Sequence, residues 1–225
     1  MSKTSRTERK RPANGSPDVA TRDLLLNAAG ELMTERRSTD VSLSDIASKS
    51  GLNSALVKYY FGSKSGLMLA LLRKVMGPGM EQLRHLPDMD LTPQQKLRVH
   101  ISGIVKTYFR HPFINRLMHQ LLAEDAATFG PILAEEFSRP VAEAQRKILQ
   151  EGTEAGIFDP VDPLLFYFHI NGACDQLFFG QYQLEHIFGV SELSEELRRN
   201  FVDHLYRVVT EGILVGSKVQ HTQAG

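Results

Sequence analysis

The chain has very little cysteine and no long apolar run. A single cysteine, Cys174, stands among 225 residues, which excludes an internal disulfide framework and is typical of a reducing compartment. No apolar stretch approaches the roughly 18 residues of a membrane-spanning helix, and the first residues are polar and basic, unlike a signal peptide. We therefore expect a cytoplasmic protein without a membrane segment.

Motifs that carry enzyme chemistry are also missing. The sequence contains no HExxH, no paired CxxC, no GxSxG and no dinucleotide-binding glycine fingerprint. Gly62-Ser63-Lys64-Ser65 resembles the end of a phosphate-binding loop, but the earlier glycine is absent. None of the eight histidines pairs with another at a helical metal-ligand spacing. We expect no catalysis, no cofactor and no metal site, although an acid–base role for Asp175 with a neighbouring histidine stays open.

Charge is unevenly distributed along a chain whose net charge is zero. Residues 1–74 contain 13 Lys and Arg against 7 Asp and Glu, a net charge of 13 − 7 = +6. The remaining residues contain 13 and 19, a net charge of −6. A basic first third beside an acidic remainder indicates that the first part meets a polyanion, unless the asymmetry is a chance fluctuation.

The stretch from Ser42 to Lys64 is typical of two short helices joined by a tight turn. Ser42 is a good N-cap for the first helix. Gly51 suits the turn, because a residue without Cβ adopts a positive φ at little cost. Asn53 caps the second helix, whose Val57 faces inward. This pattern predicts a helix-turn-helix, whose second helix is shaped to enter a DNA major groove.

Several residues of this region occur together at a characteristic spacing. They are Ile46-Ala47, Ser50-Gly51-Leu52, Tyr60-Phe61, Ser63-Lys64 and Leu67. Over about fifty residues, the sequence around them resembles the TetR family of transcriptional regulators. It departs from the family at Ala55, Leu56 and Lys58, where Gly or Pro, then Thr, then Tyr are frequent. The departures leave the fold assignment intact, but no operator sequence can be borrowed from a relative.

The outer face of the second helix is the predicted DNA-reading surface. Lys58 can donate to guanine or settle on a phosphate, and small or apolar side chains can pack on a thymine methyl. The expected DNA contacts are Ser54, Ala55, Leu56 and Lys58 on bases, with Ser42 and Ser44 on phosphates. The resemblance implies further phosphate contacts by Tyr59, Tyr60 and Lys64. Two alternatives stay open: Tyr60 packs in the core beside Phe61, or Lys58 lies on a solvated helix face.

The apolar periodicity is helical almost to the end of the chain, and no run alternates long enough for a strand. Thr92-Pro93 and Asp162-Pro163 are typical helix starts, as is Ser191 or Ser194. Gly77-Pro78-Gly79 kinks or ends the fourth helix, Gly130-Pro131 starts a new helix, and Pro140 kinks that helix. We predict an all-α fold of about nine helices, with an N-terminal three-helix helix-turn-helix domain and a C-terminal helical domain for ligand binding and dimerisation.

Three regions follow from these boundaries. Residues 1–17 form a disordered basic tail, which lies along DNA or merely keeps the chain in solution. Residues 18–76 form the DNA-binding domain. Residues 77–218 form the helical domain for effector binding and dimerisation, which the resemblance implies.

The resemblance also implies a dimer and a small-molecule effector. Helices 163–188 and 192–215 are the expected dimer face, although a wholly buried core helix would explain the apolar surplus of 163–188 equally well. The candidate effector contacts are Phe109, Phe113, Leu117, His119, Gln120, Phe137, Phe166, Tyr167, Ile170, Asn171 and Asp175. Each polar member taken alone is more often a satisfied core residue than a ligand contact.

Together these observations predict a DNA-binding regulator, most commonly a repressor in this family. It would bind a palindromic double-stranded DNA operator as a homodimer and be released by an unknown small molecule. The alternative is a helical adaptor that binds only protein, which the basic first third disfavours.

Overall fold

The computed structural model describes residues 17–215, and these residues form helices with no strand. The helices are α1 (Pro17–Glu35), α2 (Leu43–Ser50), α3 (Ala55–Phe61), α4 (Lys64–His85), α5 (Pro93–Arg110), α6 (Ile114–Leu133), α7 (Arg139–Glu154), α8 (Pro163–Phe179), α9 (Gln181–His186) and α10 (Glu195–Ile213). Since α9 is a six-residue segment, the prediction of an all-α fold with about nine helices is confirmed. No helix in this range is long and apolar enough to cross a bilayer.

Most helices begin where a side chain can accept a hydrogen bond from a free backbone N–H. Ser42 and Asp45 form a reciprocal capping box at α2, and Thr92 forms another at α5. Asp162 Oδ1 accepts from the backbone N–H of Leu164 at α8, and Ser194 caps α10. These starts were predicted, because capping depends on a few neighbouring residues only.

The predicted helix start at Gly130-Pro131 is wrong. Helix α6 runs through both residues, and its interruption lies earlier, at Asp125, whose φ of −156° and ψ of 88° are not helical. The Asp125 carboxylate accepts from the backbone N–H of Thr128 at 3.1 Å, so Asp125 acts as an N-cap inside the helix. The N-cap at Asp125 therefore determines where the helix is interrupted, and Pro131 lies inside the helix that follows.

Pro140 distorts the backbone as expected. The preceding segment, Ala134–Ser138, is a π-helical turn between α6 and α7. Proline has no N–H to donate to the carbonyl four residues back, and its ring crowds that carbonyl. A widened turn before Pro140 accommodates both effects.

One predicted helix end was misplaced, and another that the sequence left open lies further along the chain. Helix α8 ends at Phe179 rather than near residue 188, because Gly180, with a φ of −82° and a ψ of 29°, leaves the helical region and separates the short α9. Helix α4 continues through the Gly77–Gly79 triplet to His85 with Pro78 inside it. It is therefore longer than its glycine and proline content indicates.

Two apolar clusters form the core. The first contains residues of α1, α2, α3, α4 and α6. The second contains residues of α5, α7, α8 and α10 and of the end of α4. Met80 of α4 and Tyr108 of α5 pack against both clusters. Helix α4 therefore links the first three helices to the rest of the molecule.

Candidate nucleic-acid interface and cavity

The helix-turn-helix is built by a few buried side chains behind α3. Ile46 of α2 and Val57 of α3 are fully buried, and both belong to the first cluster. Gly51 sits between the two helices with a φ of 70°, as the turn requires. Asn53 accepts at Oδ1 from the backbone N–H of Ala55 and so caps α3. The predicted helix-turn-helix is confirmed.

The outer face of α3 is exposed to solvent. Ser54, Ala55 and Lys58 are exposed, and Tyr59 is 74% exposed. No acidic side chain in residues 17–215 pairs with Lys58. Leu56 is half-buried and packs against the first cluster, so it belongs partly to the support of α3. An exposed lysine, an exposed tyrosine and small side chains can together approach base edges and phosphates.

The remaining predicted phosphate contacts are engaged within the protein to different degrees. The Tyr60 hydroxyl donates to Asp18 Oδ1 at 2.9 Å, a hydrogen bond that raises the pKa of Tyr60. The Ser42 hydroxyl is used in the α2 capping box and contacts the Ser44 hydroxyl at 2.8 Å. Lys64 is half-buried at the start of α4.

A bidentate ion pair fixes α2 against the end of α1. Arg36 donates twice to Asp45 at 3.0 Å, and Asp45 also accepts from Ser42. These hydrogen bonds, with that from Arg36 the largest influence, hold the pKa of Asp45 far below its usual value. The N-terminus of α2, which faces the same side as α3 in a helix-turn-helix, is thereby held in place.

One cation beside α3 was not anticipated from the sequence. The Arg22 guanidinium of α1 lies 5.2 Å from the centre of the Phe61 ring and is exposed. Its position depends on packing between α1 and α3, which no local pattern reveals. The predicted basic tail, apart from Pro17, lies outside the described residues.

A cavity of about 970 Å³ lies between α4 and α5 and extends to α1. Its apolar floor includes Leu71, Met76, Leu83 and Ile104, and its rim carries polar and charged side chains. Of the predicted effector contacts, Phe113 and Asn171 line it. The cavity therefore spans the junction between the two apolar clusters.

The other predicted effector contacts lie elsewhere. Leu117, Phe137, Phe166 and Ile170 are buried in the clusters, while Phe109 and Tyr167 are half-buried against the second cluster. His119 is exposed and lies 3.7 Å from Asp175, and Gln120 has a buried Oε1 without a hydrogen-bond partner in the described residues. No group of three or more His, Cys, Asp or Glu in this range is placed to hold a metal ion.

Sequence reasoning missed most of the cavity lining. It missed Gly30 and Thr34 of α1, and it missed His100, Lys106 and Arg110 of α5. Lys106 and Arg110 are four residues apart with no acidic residue at helical spacing from either, a signal that could have singled them out. The α1 residues depended on tertiary packing.

Family models match both parts of the chain. Residues 25–71 match the bacterial regulatory proteins of the tetR family, and residues 90–218 match the tetracyclin repressor-like C-terminal domain. The curated relatives include the HTH-type transcriptional regulator RutR of Escherichia coli K12, 22% identical over 86% of this chain and 91% of RutR. The regulator BetI of Stenotrophomonas maltophilia is 32% identical, but the match spans 36% of this chain and only 42% of BetI.

Solved structures share the fold over most of the chain. A TetR/AcrR-family regulator from Thermobifida fusca has a TM-score of 0.64 at 22% identity, covering 86% of this chain and 98% of its own. The regulator FadR from Bacillus subtilis, in complex with stearoyl-CoA, has a TM-score of 0.62 at 19% identity, covering 82% and 97%. With the helix-turn-helix and the matched C-terminal region together, the chain belongs to the TetR family of transcriptional regulators.

Proposed function

We propose that the protein is a dimeric repressor that binds a palindromic operator through α3 and is released by a small molecule. The exposed face of α3 is the observation that carries the proposal. Val57 anchors that helix from behind, while Lys58 and Tyr59 are exposed on its outer side. The expected DNA contacts are those predicted from the sequence, with Arg22 added beside them.

A second copy of the chain fits an apolar stripe along α8. Leu165, Phe168, Gly172 and Phe179 lie on one face of α8, at the three- and four-residue steps of a helix–helix seam. Asp175 falls on the same face, 3.7 Å from His119 of the same chain. Leu165 and Phe168 are each 65% exposed, and Phe179 is 44% exposed. Exposed large apolar side chains in such a row are typical of an interface. We infer a homodimer through α8 and α10, which would place two copies of α3 on one palindrome.

Effector release is supported by the position of the cavity. Its lining includes α1 and α4 of the DNA-binding part, proposed to span residues 18–76, and α5 of the effector-binding part, proposed to span residues 77–218. Since α4 passes through both parts, an occupant that shifts α4 would change the spacing of the two copies of α3. A ligand that favours a spacing unable to fit the operator would shift the population away from the DNA-bound state.

Selection of bound sites from random DNA tests the proposal. The expected product is a palindrome whose binding weakens steeply as salt rises. Substitution Lys58→Ala should weaken binding to the selected site by about 1–3 kcal/mol. The control Lys147→Ala removes an exposed lysine of α7, and it should leave binding unchanged. Affinities are measured by electrophoretic mobility shift.

Two results would contradict the proposal. Recovery of no enriched sequence, with no salt-dependent DNA binding, would favour the helical adaptor. Equal weakening by Lys58→Ala and Lys147→Ala would remove α3 as the reading element.

A further inference from the structure

The cavity between α4 and α5 is lined by two cationic side chains, Lys106 and Arg110, that form no ion pair within residues 17–215. We propose that it binds an amphipathic organic anion, whose apolar body lies on the floor and whose anionic group is held by Lys106 and Arg110. This deepens the effector-release proposal, on which its regulatory meaning rests. The binding itself is independent of DNA.

The floor suits an apolar body of considerable size. Leu71, Met76 and Leu83 of α4 are buried there, with Ile104 and Tyr108 of α5 half-buried beside them. A volume of about 970 Å³ is near the upper end of the usual range for small-molecule pockets. The space therefore accommodates a long aliphatic chain or a fused-ring body.

Ion pairs account for the other charges on the lining. Glu31 and Glu35 both bind Lys49, with nitrogen–oxygen distances of 3.6 and 2.6 Å. Lys74 binds Asp23 at 2.7 Å and donates to Asn27. These carboxylates and this ammonium are already partnered.

Lys106 and Arg110 are the remaining lysine and arginine of the cavity lining. They lie one turn apart on the exposed edge of α5 that faces the cavity. No acidic side chain in residues 17–215 forms an ion pair with either. A guanidinium and an ammonium at this spacing can hold a carboxylate or a phosphate, with Arg110 able to bind in a bidentate manner.

Burial disfavours the charged forms of two histidines on the cavity lining. His100 is buried, contacts Gln145 at 2.9 Å, and has its pKa lowered to about 4 by burial, so it is uncharged at neutral pH. His111, half-buried at the end near α1, has its pKa lowered by burial and then by Arg110. Neither histidine offers charge for a buried anion, which places the anionic group at the rim.

This arrangement puts the ligand against the DNA-binding part directly. Arg110 is the last residue of α5 and lines the same cavity as Gly30 of α1, where an ideal Cβ would lie 3.5 Å from the side chains of both Leu71 and Phe113. Asn27 and Thr34 of α1 line the same end of the cavity. An anion held there touches α1 as well as α4 and α5.

Calorimetric titration of the full-length protein without DNA tests the inference. The probes are decanoate, decyl phosphate, decanol and decylamine below their micellar concentrations, with cholate as a fused-ring carboxylate. At least one of the anions should bind, with affinity about tenfold or more above that of decanol, and decylamine should not bind. Decanoate and decyl phosphate separate a carboxylate from a phosphate preference.

Three variants make the test specific to the site. Lys106→Gln with Arg110→Gln should remove the preference for the anion while keeping the weak binding of decanol. The matched control, Arg146→Gln with Lys147→Gln, removes two exposed cations of α7 outside the cavity and should bind as the wild type does. Gly103→Phe should block every probe, because Gly103 lines the cavity and an ideal Cβ built there meets no atom within 4 Å, which leaves room for a phenyl ring.

The outcomes separate this inference from the proposed function. Binding of decylamine or decanol as tight as that of the anions, failure of all three anions, or an unchanged preference in the Lys106/Arg110 variant overturns the inference. Anion binding that leaves operator affinity unchanged supports the anion site and contradicts effector release.

Discussion

At the scale of single residues, His100 is the side chain whose chemistry burial changes most clearly. It is 2% exposed on α5, and its Nε2 lies at a hydrogen-bond distance of 2.9 Å from Nε2 of Gln145, whose Oε1 has no partner among the described residues. Burial disfavours the charged imidazolium and lowers the pKa from 6.5 to about 4. The folded state therefore requires neutral His100.

That requirement predicts a loss of stability in mild acid. Between pH 6.5 and pH 4 the unfolded chain binds a proton at His100 that the folded chain does not, so stability falls as pH falls through this window. The lowering of the His100 pKa from 6.5 to about 4 corresponds to a change of about 3 kcal/mol in the free energy of unfolding. Denaturant unfolding at steps of pH should show this slope, and His100→Gln should flatten it.

The exposed His119 provides the control for that prediction. Substitution His119→Gln removes a histidine whose side chain is 62% exposed, and the fall in stability attributed to buried His100 should persist in that variant. Equal slopes in the wild type and in His100→Gln would show that His100 is not the group responsible.

At the scale of elements, the junction of α3 with α4 is the tightest backbone approach near the DNA-reading face. An ideal Cβ built on Gly66 would lie 2.1 Å from the Phe61 carbonyl oxygen. Ser63 caps α4 in the same turn by accepting from the Gly66 backbone N–H at 2.9 Å. The packing angle between α3 and α4 therefore depends on the absence of a side chain at residue 66.

Substitution Gly66→Ala should displace α3 from α4. We expect a loss of stability of about 1–3 kcal/mol and a weaker affinity for the selected operator, measured by urea unfolding and mobility shift. The control Gly103→Ala adds a methyl group inside α5 where nothing lies within 4 Å. It should raise stability by about 0.5–1 kcal/mol and leave operator affinity unchanged. Normal operator binding by Gly66→Ala would contradict the proposed role of this junction.

At the scale of the whole molecule, the two apolar clusters stabilise the single chain, whereas the exposed stripe of α8 is available to a second chain. The clusters hold each part together and meet at Met80 and Tyr108. The stripe, with Leu165 and Phe168 largely exposed, contributes little to the single chain. Its burial between two chains would stabilise a dimer.

Substitution Phe168→Glu should therefore yield folded monomers. The side chain is 65% exposed, so the charge costs the single chain little but would be buried and unpaired in the dimer. Sedimentation velocity should detect the change, and affinity for the palindrome should fall because one copy reads half a site. The control Met89→Glu, at a residue 49% exposed that belongs to neither α8 nor α10, should leave the mass unchanged. A dimer that persists in Phe168→Glu would exclude this face.

The family and most helix starts could be read from the residues because they depend on neighbours in the chain. The caps at Ser42, Thr92 and Asp162 each involve a hydrogen bond to a residue two or three positions on. The break at Gly130-Pro131 was misread, because the cap at Asp125 outweighed the proline. Both signals were present locally, and their relative strength decided the outcome.

The sequence by itself determined the all-α fold, most helix starts and the helix-turn-helix, because 3.6-residue periodicity and capping act over short separations. Only the tertiary structure decided what surrounds the cavity. Thr34 of α1 and Arg110 of α5 are 76 positions apart, since 110 − 34 = 76, yet they line one space. Lys49 comes to pair with Glu31 and Glu35 through the packing of α2 on α1. Which charges are satisfied and which remain free for a ligand therefore depends on contacts between distant segments, and periodicity carries no information about them.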